Sequence, residues 1–310
     1  MSNEIKFDYV TPEKLMAWVE KKKSFFLIHT LTNDHYQKIH LPGAQNACVF
    51  DVTFLDQLNS ITDDKNAEIV LYGSSGRSMD ALTAVEKLQT AGYQKVMIMK
   101  GGIKSWRSLG YPLEGASVDI SGDPETKLVL QDGKYCIDTD QSIIEWAGRN
   151  PNTKHFGIVR ISDGQIHIEN TTITGVVEID MNSIENMSLK GDELQPVLVS
   201  HLKSEDFFLV KLFPTAKFII NGGTLDDEPY LSSPNYGVDG TLDLRGVKAD
   251  LSFSATITNT DDNELVAEAH FDIDRTRWNV IYGSTMFFEH IGMHLVFDLI
   301  SFQVKIVAKK

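Results

Sequence analysis

Residues 115–127 read GASVDISGDPETK, a stretch that is small, polar and interrupted by glycine and proline, without the apolar period a helix or strand needs. The texture differs on its two sides. Upstream, residues 25–29, 69–72 and 95–99 read as short strands, and 77–91 has the apolar spacing of a helix. Strands separated by helices predict an α/β unit with a mainly parallel sheet, since parallel neighbours need crossover connections. Downstream come β-type runs at 134–137, 143–147, 164–169, 173–180, 216–221, 236–244, 248–258, 265–273 and 300–307. Many alternate apolar with polar residues, as in Gln165-Ile166-His167-Ile168-Glu169, so one face is dry and one wet. About eight such strands favour closure into an antiparallel barrel. Helices are expected there only around 193–203 and 287–292. The sequence thus predicts two domains, 1–114 (α/β) and 128–310 (all-β), joined by a linker at 115–127.

Composition agrees with two folded domains: the 310 residues are 42% hydrophobic and 23% charged. The net charge of −14 is concentrated in residues 126–310, which carry −11 against −3 for residues 1–125. Such a chain repels phosphates, so nucleic acid is not an expected partner. No run reaches the length of a membrane span, and the charged opening MSNEIKFDYV does not read as a secretory signal, so a cytoplasmic location is expected. Cys48 and Cys136 are too far apart in sequence for a metal-ligand spacing and form no disulfide framework.

Three stretches of the first domain carry a resemblance. Residues 26–44, FLIHTLTNDHYQKIHLPGA, contain a strand, a loop and a turn with Tyr36, His40, Pro42, Gly43 and Ala44 in characteristic places; residues 69–81, IVLYGSSGRSMDA, form a strand, a glycine-containing loop and a helix start; residues 100–113, KGGIKSWRSLGYPL, end the unit. In this order they resemble the rhodanese family. The resemblance implies a loop whose backbone N–H groups and following helix stabilise a cysteine thiolate that carries sulfane sulfur. Here Gly73 stands at the cysteine's position and Ser78 at the closing arginine's, while His29 and Leu31 replace the aspartate and arginine of the preceding strand end. A glycine cannot carry a persulfide, and a serine alkoxide is inaccessible near neutral pH without a base. No catalytic residue is therefore assigned. The loop Gly73, Ser74, Ser75, Gly76, Arg77 and Ser78 remains a candidate anion site, because cradling N–H groups belong to the backbone. The competing enzymatic reading is a sulfurtransferase that uses Cys48 or Cys136 instead.

Tyr135-Cys136-Ile137-Asp138 with Ser142 and Glu145-Trp146, then LKSEDFFLVKLFPTAKF at 202–218 and LDLRGV at 242–247, resemble the YceI-like family. Gln141 stands where that family usually has histidine. The resemblance implies a lipocalin-like barrel whose cavity holds a polyisoprenoid or similar long apolar molecule, with quinones and fatty amides in the same class; no cofactor is otherwise expected. An eight-strand barrel is wide enough for one such ligand. Candidate cavity residues are Trp146, His155, Phe156, Phe208, Phe213 and Trp278. His290 and His294 lie four apart beside Glu289, but the order is not HExxH and Gly292 interrupts the segment, so no metal is assigned. The sequence 272–278, DIDRTRW, reads as a rim with a surface Asp–Arg pair. Function is expected to be binding of an apolar small molecule, with the rhodanese-like module docking a protein partner or sensing an anion; a homodimer is left open.

Overall fold

The computed structural model describes residues 7–117, 127–261 and 263–310, and the chain divides into two compact units, Met1–Asp123 and Pro124–Lys310. Of the expected linker, 118–126 lies outside the described residues. Its first residues hydrogen-bond back into the first unit, Ala116 N–H to Gln37 O and Ser117 N–H to Lys38 O, both at 2.9 Å. At its other end Lys127 forms a bridge with Tyr230, and Leu128 N–H donates to Pro229 O at 2.7 Å.

The first unit runs β1 (Asp8–Val10), α1 (Pro12–Glu20), β2 (Phe26–His29), α2 (Asn33–Lys38), β3 (Gln45–Asn46), α3 (Phe54–Ile61), β4 (Glu68–Tyr72), α4 (Asp80–Thr90), β5 (Lys95–Met99) and α5 (Gly102–Ser108). Its five strands, ordered β1-β5-β4-β2-β3, pair in parallel throughout. β4 lies in the middle, so Ile69, Val70, Leu71 and Tyr72 are all fully buried, the continuous apolar run that a parallel strand covered on both faces requires. Local signals set the helices. Thr11 caps α1 by accepting from Lys14 N–H at 3.3 Å, with Pro12 at the first helical position, where its missing N–H costs nothing.

The second unit contains, among the described residues, nine antiparallel strands: β6 (Gly133–Ile137), β7 (Ile143–Arg149), β8 (Lys154–Glu169), β9 (Thr172–Asn186), β10 (Thr215–Leu225), β11 (Tyr236–Leu244), β12 (Val247–Asp261), β13 (Glu264–Asp274) and β14 (Leu299–Lys309), with α6 (Leu194–Lys203) between β9 and β10. β6 and β7 are two halves of one stave, since both pair with β8 and with β14. β13 pairs with β14 along its whole length, from Glu264↔Lys309 to Asp274↔Leu299, so the sheet closes as an eight-stave barrel. Full closure leaves no free edge. Residues 287–292 are not helical, contrary to expectation: His290 and Gly292 take φ of 57° and 54°, which turns the chain out of any helix. Only Gly292–His294 forms a short 3-10 turn.

Candidate functional site: an apolar barrel cavity and an internally filled loop

Alternation along the staves turns one side chain in two toward the barrel axis. These inward residues enclose a cavity of about 390 Å³. Its wall includes an aromatic ladder that crosses the barrel from strand to strand: Phe218 to Phe253 at 5.6 Å between ring centroids, Phe253 stacked on Phe271 at 4.2 Å, and Phe271 to Phe302 at 5.9 Å. Gly240 makes room for it, because a Cβ there would overlap the Phe218 ring. Most of the remaining wall is aliphatic, with Ile, Val, Leu and Ala from nearly every stave.

One end of the barrel carries two long connections. The β9–β10 connection holds α6 and residues 187–214, and the β13–β14 connection holds residues 275–298. They meet over the cavity, where the Tyr282 ring lies 5.0 Å from His201 and 5.3 Å from Phe207, edge-on to the first and tilted to the second. Arg245, at φ 54° in the β11–β12 turn, ties both down: its guanidinium donates to Glu205 O at 2.7 Å and to Asn279 O. Phe297 N–H donates to Arg149 O at 2.9 Å, fixing the second connection to the end of β7. Polar residues of the cavity wall at this end include Arg149, which donates to Ser301 Oγ at 2.8 Å, His155, whose Nδ1 lies 3.1 Å from Ser188 Oγ, and His201, 3.0 Å from Asp206, whereas Glu268, midway along β13, engages His270 and Gln303 with its carboxylate. This end is the mouth.

Of the six candidate cavity residues, the structure brings Trp146, His155 and Phe208 to the wall. The other three are elsewhere. Phe156 follows inward-facing His155 on β8, so strand alternation points it to solvent, beneath Lys154. Phe213 packs its ring over Gly246 in the β11–β12 turn. Trp278 is fully buried with Nε1–H donating to Leu242 O at 2.8 Å, which makes it part of the barrel's solid core. Sequence reasoning missed the four-ring ladder, although each member sits at an inward position of its strand.

The DIDRTRW rim also differs from expectation. Arg275 is buried, not at the surface, and donates to the carbonyls of Val280 (2.5 Å), Val296 (3.0 Å) and Phe297 (3.2 Å) and to Asp298 Oδ1 (3.3 Å). Burial pulls its pKa below the arginine range while Asp298 and Asp274 oppose that. One side chain thus holds the whole β13–β14 connection in shape. Asp274 turns away to cap the following 3-10 turn, accepting from Thr276 N–H at 2.9 Å.

In the first unit, the loop Gly73–Ser78 joins β4 to α4. Gly73 is buried, Ser74 and Ser75 are half-buried, and Gly76 and Arg77 are exposed. The cradle already holds an anion of the chain's own. The Asp80 carboxylate, itself buried, accepts from Ser74 N–H at 3.0 Å and from Ala81 N–H at 2.6 Å. A Cβ on residue 73 would overlap that carboxylate. Behind the loop, Gly102 at φ 58° lets α5 approach so closely that a Cβ would strike the backbone of Gly73, Ser74 and Ser75. Ile103 N–H and Lys104 N–H donate to Gly73 O and Ser74 O at 2.8 and 3.1 Å.

His29, at the end of β2, is fully buried. Its Nε2 lies 3.1 Å from His35 Nδ1, and its own Nδ1 is a buried polar atom without a partner. Burial first, then His35 and His40, hold its pKa down to about 3, so the ring is neutral. Neither thiol lies in the loop: Cys48 is buried beyond β3, and Cys136 is exposed on β6 of the other unit. No group of side chains suited to a metal occurs among the described residues.

The sequence matches the family model of the YceI-like domain over residues 135–308, more than half the chain, and that of the rhodanese-like domain over residues 11–109. No curated protein matches. Among solved structures, the chain is similar to BcnA of Burkholderia cenocepacia (18% identity, 56% of this chain and 99% of that one, TM-score 0.44). It is also similar to a polyisoprenoid binding domain from Saccharophagus degradans (12%, 56% and 97%, TM-score 0.40) and to the rhodanese-like domain of an Anabaena protein (24%, 41% and 94%, TM-score 0.33).

Proposed function

This chain belongs to the YceI-like family and carries a rhodanese-like domain ahead of the barrel, and from that premise we propose that the barrel binds one long apolar molecule, an isoprenoid, quinone or fatty amide, with its polar end at the mouth. The observation that carries the reading is the cavity: its wall is aliphatic and aromatic along the barrel, and Arg149, His155 and His201 stand at one end. Each methylene that enters such a space gains about 0.8 kcal/mol, so affinity comes from the chain of the ligand and orientation from its head. The acidic exterior is no obstacle to an uncharged guest.

The rhodanese-like module is read as a docking element for a protein partner. Sulfur transfer at its loop has no nucleophile. Anion sensing is the weaker of its two remaining roles, because Asp80 already holds the Ser74 N–H. A reducing compartment such as the cytoplasm suits two unpaired cysteines, one of them exposed.

The test is organic extraction of the purified full chain followed by mass spectrometry, then titration of the stripped protein with farnesol, read by tryptophan fluorescence from Trp146 in the cavity wall. Release of an apolar molecule and saturable farnesol binding are expected, and Ala267→Trp, which fills the cavity from β13, should abolish the binding. A chain that releases nothing and leaves farnesol unbound overturns the reading.

A further inference from the structure

The outside of the mouth carries a group of exposed apolar side chains. Most exposed large hydrophobic residues of the barrel unit lie on the two connections or at their roots. On the β13–β14 connection Met286 and Met293 are 71% and 89% exposed, with Phe287 and Phe288 about half exposed between them; on the β9–β10 connection Leu194 and Val197 project from α6. Soluble surfaces rarely gather such residues in one place without a partner.

We propose that this collar docks on the surface of a neutral lipid bilayer, and that the barrel exchanges its guest with the bilayer there; the exchange, but not the docking, rests on the function proposed above. Two observations select this occupant. The first is continuity. Phe297 is 46% exposed on the collar and also lines the cavity, as do Tyr282 and Val296 on the same connection. Side chains of this connection therefore join the outer face to the apolar interior of the barrel. The second is charge. Although the chain carries −14, residues 281–299 contain only two acidic side chains, Glu289 and Asp298, and Asp298 is spent on buried Arg275. On an acidic body, the β9–β10 side of the collar carries four acidic and three basic side chains in residues 187–214, and its β13–β14 side is a nearly uncharged patch. It can enter the interface of a zwitterionic membrane, whereas the rest of the surface is repelled by an anionic one. The tip of the β13–β14 connection is a turn, with positive φ at His290 and Gly292 and Met293 exposed beside them, which suits shallow insertion of a few side chains.

The test uses the full chain and sedimentation with phosphatidylcholine vesicles. Wild type should co-sediment, and the combined variant Met286→Ser, Phe287→Ser, Met293→Ser should bind at least tenfold more weakly. Because these side chains are exposed, the variant keeps its melting temperature and its farnesol affinity, measured on the same preparation. Ala267→Trp separates this inference from the one before it: it loses farnesol but still sediments with vesicles. Equal vesicle binding by the triple variant, binding to anionic vesicles only, or a collar shown to pair two copies in solution, with a wild-type dimer, a monomeric triple variant and no vesicle binding, would each overturn the proposal.

Discussion

Burial and two neighbouring imidazoles hold His29 at about 3, so between that value and the ordinary histidine range the unfolded chain binds a proton that the folded chain refuses. Stability therefore rises with pH across this window and is lost as pH falls from about 6.5, with a slope of up to about 1.4 kcal/mol per pH unit from this one residue. Burial lowers the His35 pKa too and adds to the same trend. His29→Leu, which also removes the unpartnered Nδ1, should flatten the acid limb in calorimetric scans between pH 4 and 7; an unchanged limb would mean that His29 is not its source. Gly73 gives a second prediction. Gly73→Cys should lower the melting temperature, because its Cβ needs the space of the Asp80 carboxylate, and should leave thiosulfate-to-cyanide activity at background. Adding Asp80→Ala should recover part of the lost stability. The loss of the cysteine is readable from the sequence in register with the family. Its replacement by an internal carboxylate is not, because nothing in the spacing of Gly73 and Asp80 says that the first turn of α4 folds back over the loop.

Arg245 and Arg275 act on whole elements. Arg245 pins both connections at the mouth from a two-residue turn, so Arg245→Ala should cost only about 1 kcal/mol, its bonds being solvent-exposed, while hydrogen exchange quickens at 205–209 and 276–282 and farnesol leaves faster. Arg275→Met should cost about 3 kcal/mol, since it strips the buried Val280 carbonyl, two part-buried carbonyls and a carboxylate of their donor; chemical denaturation measures both. The staves themselves were legible because a barrel wall writes its two faces into the sequence with period two, as 236–244 shows. The first half of β8, residues 154–163, does not show this pattern: its inward set includes Gly157, and register shifts between Ile158 and Arg160 and between Ile161 and Asp163 break the alternation against β9. Inward positions could be read, but not which of them face empty space. Trp278 and Phe271 look alike in sequence, yet the first fills a tight corner beneath the Leu242 carbonyl and the second borders the cavity. Large aromatic residues mark a core, and only the closed geometry separates core from wall.

Each unit has its own core, with no strand shared between the two sheets among the described residues, so residues 1–117 and 127–310 expressed separately should each melt cooperatively. The second piece must begin no later than Lys127, since Lys127 and Leu128 pair with the 229–230 segment; a start at 133 should lower its stability. The parallel sheet of the first unit is complete by Met99, whereas the barrel depends on β14, the last of its staves in chain order, which closes against β13, β6 and β7 together. During translation the nascent chain therefore carries a finished N-terminal unit beside an open sheet whose two edges wait for residues 299–309. No cavity exists until they arrive, so the guest cannot serve as a template for synthesis. Any ribosome that stalls before that stave releases a sheet with bare edges, a substrate for chaperones and proteases instead of a half-functional carrier.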